Sequence, residues 1–162
     1  ILRAVFGSRN PSYISPILSA IQSDLCESGI DGVLSTHIQR DALEKFSYVS
    51  PIGAAGVYLH AVAGDFQKEG AARELFKSMI REISTLAAAM GYPFEKDYVK
   101  INLEILSNLS ADATTSMQRD IMEGKPSELD GLVMEPLRLA KKYSVSMPCY
   151  EEVANALCPL EF

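Results

Sequence analysis

The sequence predicts an all-α fold with one short strand at its start. Two observations lead to this prediction. Apolar residues recur every three or four positions over most of the chain, which is the spacing of one face of a helix. Gly and Pro residues separate these periodic segments, as they do where helices end. The 162 residues, of which 48% are apolar and 22% charged, suffice for a globular domain with its own core.

The N-terminal segment predicts one strand and one helix. Leu2–Phe6 is the only plausible strand. Ser12–Ser28 carries apolar residues at helical spacing, and Gly29 follows as a stop. Because proline is tolerated only in the first turn of a helix, Pro16 predicts Ser15 as the N-cap. The apolar stripe consists of Ile14, Ile17, Leu18, Ile21 and Leu25.

Two long helices are predicted next, at Ile38–His60 and Gly70–Met90. Pro51 should kink or divide the first, since a mid-helix proline removes a hydrogen bond and clashes with the previous turn. Gly91 ends the second. The stripe of the first helix is Leu43, Phe46, Val49 and Ile52, and that of the second is Leu75, Met79, Ile83 and Leu86. Shorter helices are predicted at Tyr98–Asn108, Ser116–Glu123, Glu128–Tyr143 and Tyr150–Leu157, with Pro148 and Pro159 marking the last boundaries.

Charge and hydropathy argue against nucleic-acid and membrane partners. The net charge is −6 and no Lys/Arg cluster forms a basic face, which phosphate binding would need. The longest weakly polar run, Val49–Ala63, includes His60 and is shorter than the roughly twenty residues that span a bilayer. The chain begins Ile-Leu-Arg without a basic leader, so we expect no signal peptide.

Cysteine and histidine usage predicts neither disulfides nor a metal site. The three cysteines, Cys26, Cys149 and Cys158, form no CxxC pair, which suits reduced thiols in the cytoplasm. His37 and His60 are isolated and have no HExxH-type neighbours, so structural roles are favoured for both.

The most informative motif is Ser116–Asp130, SMQRDIMEGKPSELD, in which a serine and a glutamate stand twelve apart around a Gly-Lys-Pro turn. By itself the run predicts a helix, a loop and a second helix start. It also resembles the signature of the 2-dehydropantoate 2-reductase (ketopantoate reductase) C-terminal domain: a Ser-Met-x-x-Asp helix, a Gly-rich turn and a Ser-Glu-hydrophobic-Asp helix start. The matching residues are Ser116, Met117, Asp120, Gly124, Ser127, Glu128, Leu129 and Asp130. The resemblance implies a fold similar to the helical C-terminal domain of 6-phosphogluconate dehydrogenase.

Lys45 matches the family's catalytic lysine, which lies in a hydrophobic-x-Lys-Phe/Leu pattern on the second helix. Considered alone, a lysine at the polar-to-apolar transition of a helix is a surface residue whose stem covers apolar neighbours. The resemblance instead implies that Lys45 is the general acid that protonates the ketone oxygen. Hydride arriving at a ketone carbon leaves negative charge on oxygen, which an ammonium can stabilise and protonate.

Three further residues match family site positions. By resemblance, Glu82 hydrogen-bonds and orients Lys45, and a solvated Glu82 on its own helix is the alternative. Ser116 matches a serine that hydrogen-bonds the substrate, although it could also serve as a helix N-cap. Glu128 matches a glutamate beside the bound nicotinamide and substrate, and the alternative is a first-turn charge that favours the helix dipole.

Departures from the family pattern concern the substrate. Leu43 stands where the family often has Trp. Ketopantoate-specific members have asparagines at the positions of Val49, Gly53 and Ala63, and none of these three side chains can make an amide's hydrogen bonds. Reductase chemistry is therefore better supported than ketopantoate specificity.

The resemblance covers roughly Ile1 to Cys158 and leaves out the dinucleotide-binding half of the family. In the family, NADPH binds a GxGxxG turn between a strand and a helix, and this sequence has no such motif. We therefore expect an interdomain remnant at residues 1–34, a ketopantoate reductase C-terminal-like helical domain at residues 35–162, and an N-terminal Rossmann domain elsewhere in a longer protein. The resemblance implies NADPH as cofactor, a 2-oxo acid as substrate and a homodimer, and predicts that this part alone is inactive. The alternatives are a reductase of another carbonyl and a helical interaction module without the chemistry.

Overall fold

The computed structural model describes residues 2–10 and 15–157, and the chain forms two compact units, Ile1–Leu43 and Glu44–Phe162. Helices dominate the described residues, which confirms the predicted fold class. The predicted helix positions Ser12 and Ile14 lie outside the described residues, as does Pro159. Within the part of the chain that the structure describes, no helix is long and apolar enough to cross a membrane.

The first unit contains a strand–helix–strand crossover. Strand β1, Arg3–Gly7, pairs in parallel with β2, Asp31–Ser35, and helix α1, Pro16–Glu27, connects them. The Ser15 hydroxyl accepts a hydrogen bond from the amide of Ile17 and caps α1, as predicted. Gly29 follows the helix with a φ of +79°, a conformation that glycine adopts without strain.

The prediction of a single strand was wrong, because β2 is also present. Its sequence, DGVLS, contains only one β-branched residue and has weak strand propensity. The strand forms because its main chain pairs with β1 in the register Arg3↔Asp31 to Gly7↔Ser35. Pairing between segments that are distant in sequence is not visible in local composition.

Helix α2, Ile38–Leu59, is continuous through Pro51, so proline does not divide it. A proline at position 51 has no N–H to donate to the carbonyl of Ser47 four residues earlier. The side-chain amide of Asn102 donates to that carbonyl instead, at 3.1 Å, and it also bonds the Ser47 hydroxyl. Both residues are buried, so a distant side chain satisfies the group that Pro51 leaves unpaired.

The helices after α2 are α3, Ala63–Gln67; α4, Ala71–Ala89; α5, Tyr98–Ser107; α6, Ser116–Met122; α7, Glu135–Tyr143; and α8, Pro148–Leu157. Helices α3, α5, α7 and α8 pack against α4, whose residues Phe76, Met79, Ile80 and Ile83 are at most 1% exposed. Of the predicted apolar stripe of α4, Met79, Ile83 and Leu86 are buried and Leu75 is half-buried, while Phe76 and Ile80 add to the buried face. The short helix α3 was not predicted, since five residues are too few to show a helical period.

The predicted helix Glu128–Tyr143 instead begins with a π-helix, Asp130–Met134, which leads into α7. Pro136 explains the wider turn. Its ring would clash with the carbonyl of Leu132 in an α-helix, and it has no N–H to donate there. The amide of Glu135 donates to the carbonyl of Asp130 five residues earlier, which is the π-helical pattern.

Candidate active site

One face of α2 carries Lys45, Val49 and Gly53, which follow one another at intervals of four residues and so lie on the same side of the helix. Gly53 is where other elements approach this face. A Cβ atom at Gly53 would lie 3.1 Å from Met117 Cε and 3.9 Å from both Thr115 Oγ1 and Leu132 Cδ1. The start of α6 and the π-helix therefore flank α2 two turns beyond Lys45.

Thr115 and Gln118 fix the start of α6. The Thr115 hydroxyl accepts from the amide of Gln118 at 3.2 Å, and Gln118 Oε1 accepts from the amide of Thr115 at 2.9 Å. These two bonds form a capping box. Gln118 Nε2 also donates to the carbonyl of Ala61 at 2.8 Å, which ties α6 to the segment after α2. The N-cap interpretation of Ser116 was wrong, because Thr115 is the cap.

Ser116 is the first residue of α6, and its side chain is exposed. It stands between Thr115 and Met117, both of which contact the position of Gly53. Since Thr115 already caps the helix, the Ser116 hydroxyl is not needed for that purpose.

Glu128 lies just before the π-helix, and its side chain is exposed. Its carbonyl accepts from the amide of Leu132 at 2.9 Å, and the Leu132 side chain is the one that approaches Gly53. Met117 of the SMQRDIMEGKPSELD motif and Leu132, two residues after the end of the motif, thus both approach Gly53 of α2.

Lys45 is exposed on α2, and Glu82 is engaged elsewhere. The Glu82 carboxylate accepts from the main-chain amides of Cys149 and Tyr150, at 2.8 and 3.1 Å, at the start of α8. No hydrogen bond or ion pair joins Glu82 to Lys45 among the described residues. The expected Lys45–Glu82 bond is therefore absent from this structure, and Glu82 has a helix-capping role that the sequence reasoning missed.

A buried chain of hydrogen bonds joins α2, the π-helix and α8. The Ser50 hydroxyl donates to the carbonyl of Leu132 at 2.5 Å and pairs with the Tyr150 hydroxyl at 2.5 Å. Both Ser50 and Tyr150 are 0% exposed. Since the Ser50 proton goes to Leu132, Tyr150 is the donor of the second bond. Burial raises the pKa of the Tyr150 phenol well above its usual value, so the phenol stays protonated.

The positions that would carry amides in a ketopantoate-specific site offer no side-chain donors. Val49 is 36% exposed, and Gly53 faces Met117. Ala63 is buried at the start of α3, where its main-chain amide donates to the carbonyl of Ala113 at 2.9 Å. The wall of α2 next to Lys45 is therefore apolar.

Comparison with known proteins finds similarity over the part of the chain that contains the candidate site. The family model "Ketopantoate reductase PanE/ApbA C terminal" matches residues 37–161. In sequence, the chain is 24% identical over 151 residues to the uncharacterized oxidoreductase YkpB of Bacillus subtilis (strain 168), covering 93% of this chain and 50% of that protein.

Two solved structures show the same fold. The 2-dehydropantoate 2-reductase of Geobacter metallireducens GS-15 superposes with a TM-score of 0.85 at 23% identity, over 96% of this chain and 52% of that one. A D-mandelate dehydrogenase in complex with NADH superposes with a TM-score of 0.81 at 16% identity, over 96% of this chain and 53% of that one. The chain thus spans about half the length of these relatives.

Proposed function

Because this chain belongs to the ketopantoate reductase PanE/ApbA C-terminal family, we propose that it is the substrate-binding half of a nicotinamide-dependent reductase of 2-oxo acids. The observation that carries the proposal is the convergence at Gly53. There the α2 face that bears Lys45 meets the residues on both sides of Ser116 and the Leu132 side chain that follows Glu128.

Lys45 is the proposed general acid. When a ketone accepts hydride at carbon, the electron pair of the C=O bond moves to oxygen, and a proton must follow. The exposed Lys45 ammonium on α2 can donate that proton and stabilise the developing charge. In this proposal Glu82 contributes through α8, whose start it caps, rather than by contact with Lys45.

Ser116 and Glu128 are the proposed contacts to substrate and cofactor. The Ser116 hydroxyl would hydrogen-bond the 2-oxo acid, and Glu128 would lie beside the nicotinamide. Both side chains are exposed, and the segments that carry them approach the same position of α2.

A bound nicotinamide, NADPH in our proposal, would supply the hydride. This sequence has no glycine-rich turn of the kind that holds a cofactor's pyrophosphate. We propose that a Rossmann domain of the same protein provides that turn. Homodimer formation and a cytoplasmic location stay predictions.

The apolar wall favours a 2-oxo acid other than ketopantoate. A site that hydrogen-bonds a substrate hydroxyl needs polar side chains at that point, and losing them is costly. Val49 and Gly53 provide none, and Met117 fills the space in front of Gly53. A substrate with an apolar side chain next to the ketone suits this wall.

Turnover by the full-length protein tests the proposal. Oxidation of NADPH and of NADH would be followed with ketopantoate and with 2-oxo acids that carry aliphatic or aromatic side chains. We expect oxidation that depends on the 2-oxo acid and is fastest with an apolar one. Absence of turnover with every combination would contradict the proposal and leave the interaction-module alternative.

Glu128→Gln tests the cofactor side of the site in the same assay. We expect weaker binding of cofactor or substrate, because a neutral amide of the same shape accepts a hydrogen bond from the ligand less strongly than a carboxylate does. Glu123→Gln is the matched control, since Glu123 is also exposed in the loop and pairs with Lys125. Unchanged affinities for both ligands in Glu128→Gln would count against its assignment.

A further inference from the structure

The proposed reaction makes no use of the buried pair Ser50 and Tyr150. Their hydroxyls lie 2.5 Å apart in a fully buried position. A buried pair of hydroxyls contributes little net stability over an apolar pair of the same shape. The role of this pair therefore depends on the group to which it is hydrogen-bonded.

The group that it holds is the carbonyl of Leu132. Pro136 deprives this carbonyl of its helical donor, and the Ser50 hydroxyl supplies the replacement at 2.5 Å. Tyr150 donates to Ser50 and so fixes the direction in which the serine proton points. At the other end, Glu82 holds the main-chain amide of Tyr150.

Leu132 links this pair to the proposed site. Its amide donates to the carbonyl of Glu128 at 2.9 Å, while its own carbonyl accepts from Ser50. Ser50 is the residue after Val49 on α2 and stands five residues after Lys45. A single residue, Leu132, is thus bonded both to the Glu128 segment and to the helix that carries Lys45.

We propose that Ser50 and Tyr150 are positioning residues that set the place of Glu128 relative to α2. This inference rests on the proposed function, since it assumes that Glu128 contacts substrate or cofactor. Neither hydroxyl reaches the reacting atoms, because both are buried. Their effect passes through Leu132 and the π-helix.

Coupling to Glu128 distinguishes positioning from general stabilisation. In the full-length protein, Ser50→Ala should lower kcat/KM about tenfold, and the same change in a Glu128→Gln background should lower it less than about twofold, since residues that act through one another are not additive. Tyr150→Phe, which keeps the buried ring, should show the same pattern with a smaller loss. Equal losses in both backgrounds would overturn the proposal.

Tyr58→Phe is the matched control. The Tyr58 hydroxyl also donates to α8, to Glu152 Oε1 at 2.9 Å, but it has no bond to the π-helix. We expect kcat/KM within about twofold of wild type, because exposed hydrogen bonds contribute little. A loss equal to that of Tyr150→Phe would overturn the proposal.

Amide hydrogen exchange provides a readout that does not depend on turnover. Ser50→Ala should accelerate exchange at the amides of Leu132 and Glu135 and leave those of α5 unchanged. If the wild-type protein oxidises no nicotinamide with any 2-oxo acid, the proposed function fails, and exchange alone decides whether Ser50 holds the Glu128 segment. Unchanged exchange in the π-helix would overturn that claim.

Discussion

Glu82, on α4, accepts a hydrogen bond at 2.8 Å from the main-chain amide of Cys149 at the start of α8. The second carboxylate oxygen accepts from the amide of Tyr150 at 3.1 Å. The first amides of a helix have no partner within the helix and carry the positive end of its dipole. A carboxylate from another helix therefore does for α8 what an N-cap side chain does elsewhere. The pKa of the neighbouring Cys149 thiol is raised to about 11, mainly by burial and to a smaller extent by the Glu82 carboxylate.

Replacing Glu82 with Gln should destabilise the second unit by about 1–2 kcal/mol, since one acceptor and the charge at the start of α8 are lost. Urea unfolding of the wild type and the variant measures this difference. Glu104→Gln is the control, because Glu104 is exposed on α5 and should shift stability by less than about 0.5 kcal/mol. An unchanged unfolding midpoint together with a changed pH dependence of turnover would instead indicate that Glu82 orients Lys45.

Thr115 and Ser116 should respond differently to the same substitution. Thr115→Ala removes the cap of α6 and should cost about 1 kcal/mol of stability. Ser116→Ala leaves the capping box intact, so stability should change by less than about 0.5 kcal/mol, while KM for the 2-oxo acid rises in the full-length protein. Unfolding midpoints and KM values for both variants check this contrast. Ser116→Ala with an unchanged KM would remove Ser116 from the proposed site.

Arg138 and Asp130 form an ion pair across the start of the π-helix. The guanidinium donates to both carboxylate oxygens of Asp130, at 2.9 and 2.8 Å, and to Glu135 at 2.6 Å. The hydrogen bond from Arg138 holds the pKa of Asp130 below its ordinary value of 3.8. A carboxyl whose pKa is lowered by folding stabilises the fold above its unfolded-state pKa, and this contribution is lost as the pH falls through the folded pKa.

Asp130→Asn should therefore lower stability at neutral pH and make it less dependent on pH below about 4. Thermal unfolding midpoints across the acid range, for wild type and variant, measure this. The pair is exposed, so the difference should shrink in about 1 M salt, where the screening length is only about 3 Å. Parallel pH curves for the two proteins would contradict the assignment.

Local sequence was sufficient for most helices of this chain. The predictions for α2, α4, α5 and α6 lie within one residue of the observed bounds, because apolar spacing and helix-ending residues are local features of the sequence. Ser15 and Gly29 were identified as helix ends because their side chains, or the lack of one, have a local effect. Strand β2 was missed because it depends on pairing with β1.

Pro51 and Pro136 show which interactions cannot be predicted from local sequence. Pro51 was predicted to disturb its helix, whereas Pro136 was overlooked within the predicted helix Glu128–Tyr143, although each proline deprives the carbonyl four residues earlier of its donor. The replacement donors, Asn102 for the carbonyl of Ser47 and Ser50 for that of Leu132, are 55 and 82 residues away from those carbonyls in sequence. Which donor arrives depends on tertiary packing. A polar residue within an apolar stretch of sequence is the signal that could have suggested Asn102 and Ser50 as buried donors.

For the candidate site, the sequence suggested individual residues but not their partners. Motif resemblance pointed to Lys45, Ser116 and Glu128, which stay predictions; the structure places the residues on both sides of Ser116, and Leu132, next to Gly53 of α2. The partner of Glu82 could not be predicted, because it is a pair of main-chain amides 67 and 68 residues away. Ser50 and Tyr150 were missed since neither is part of a recognisable motif.

The most direct test of this account is kcat of the full-length protein for its best 2-oxo acid, with Lys45→Ala beside wild type. Lys68→Ala is the control, since Lys68 is an exposed lysine after α3. Lys45→Ala should lose on the order of 10² to 10⁴ in kcat, the usual contribution of a general acid, while Lys68→Ala should turn over like wild type. A Lys45→Ala variant with near-wild-type kcat would contradict the proposed role of Lys45.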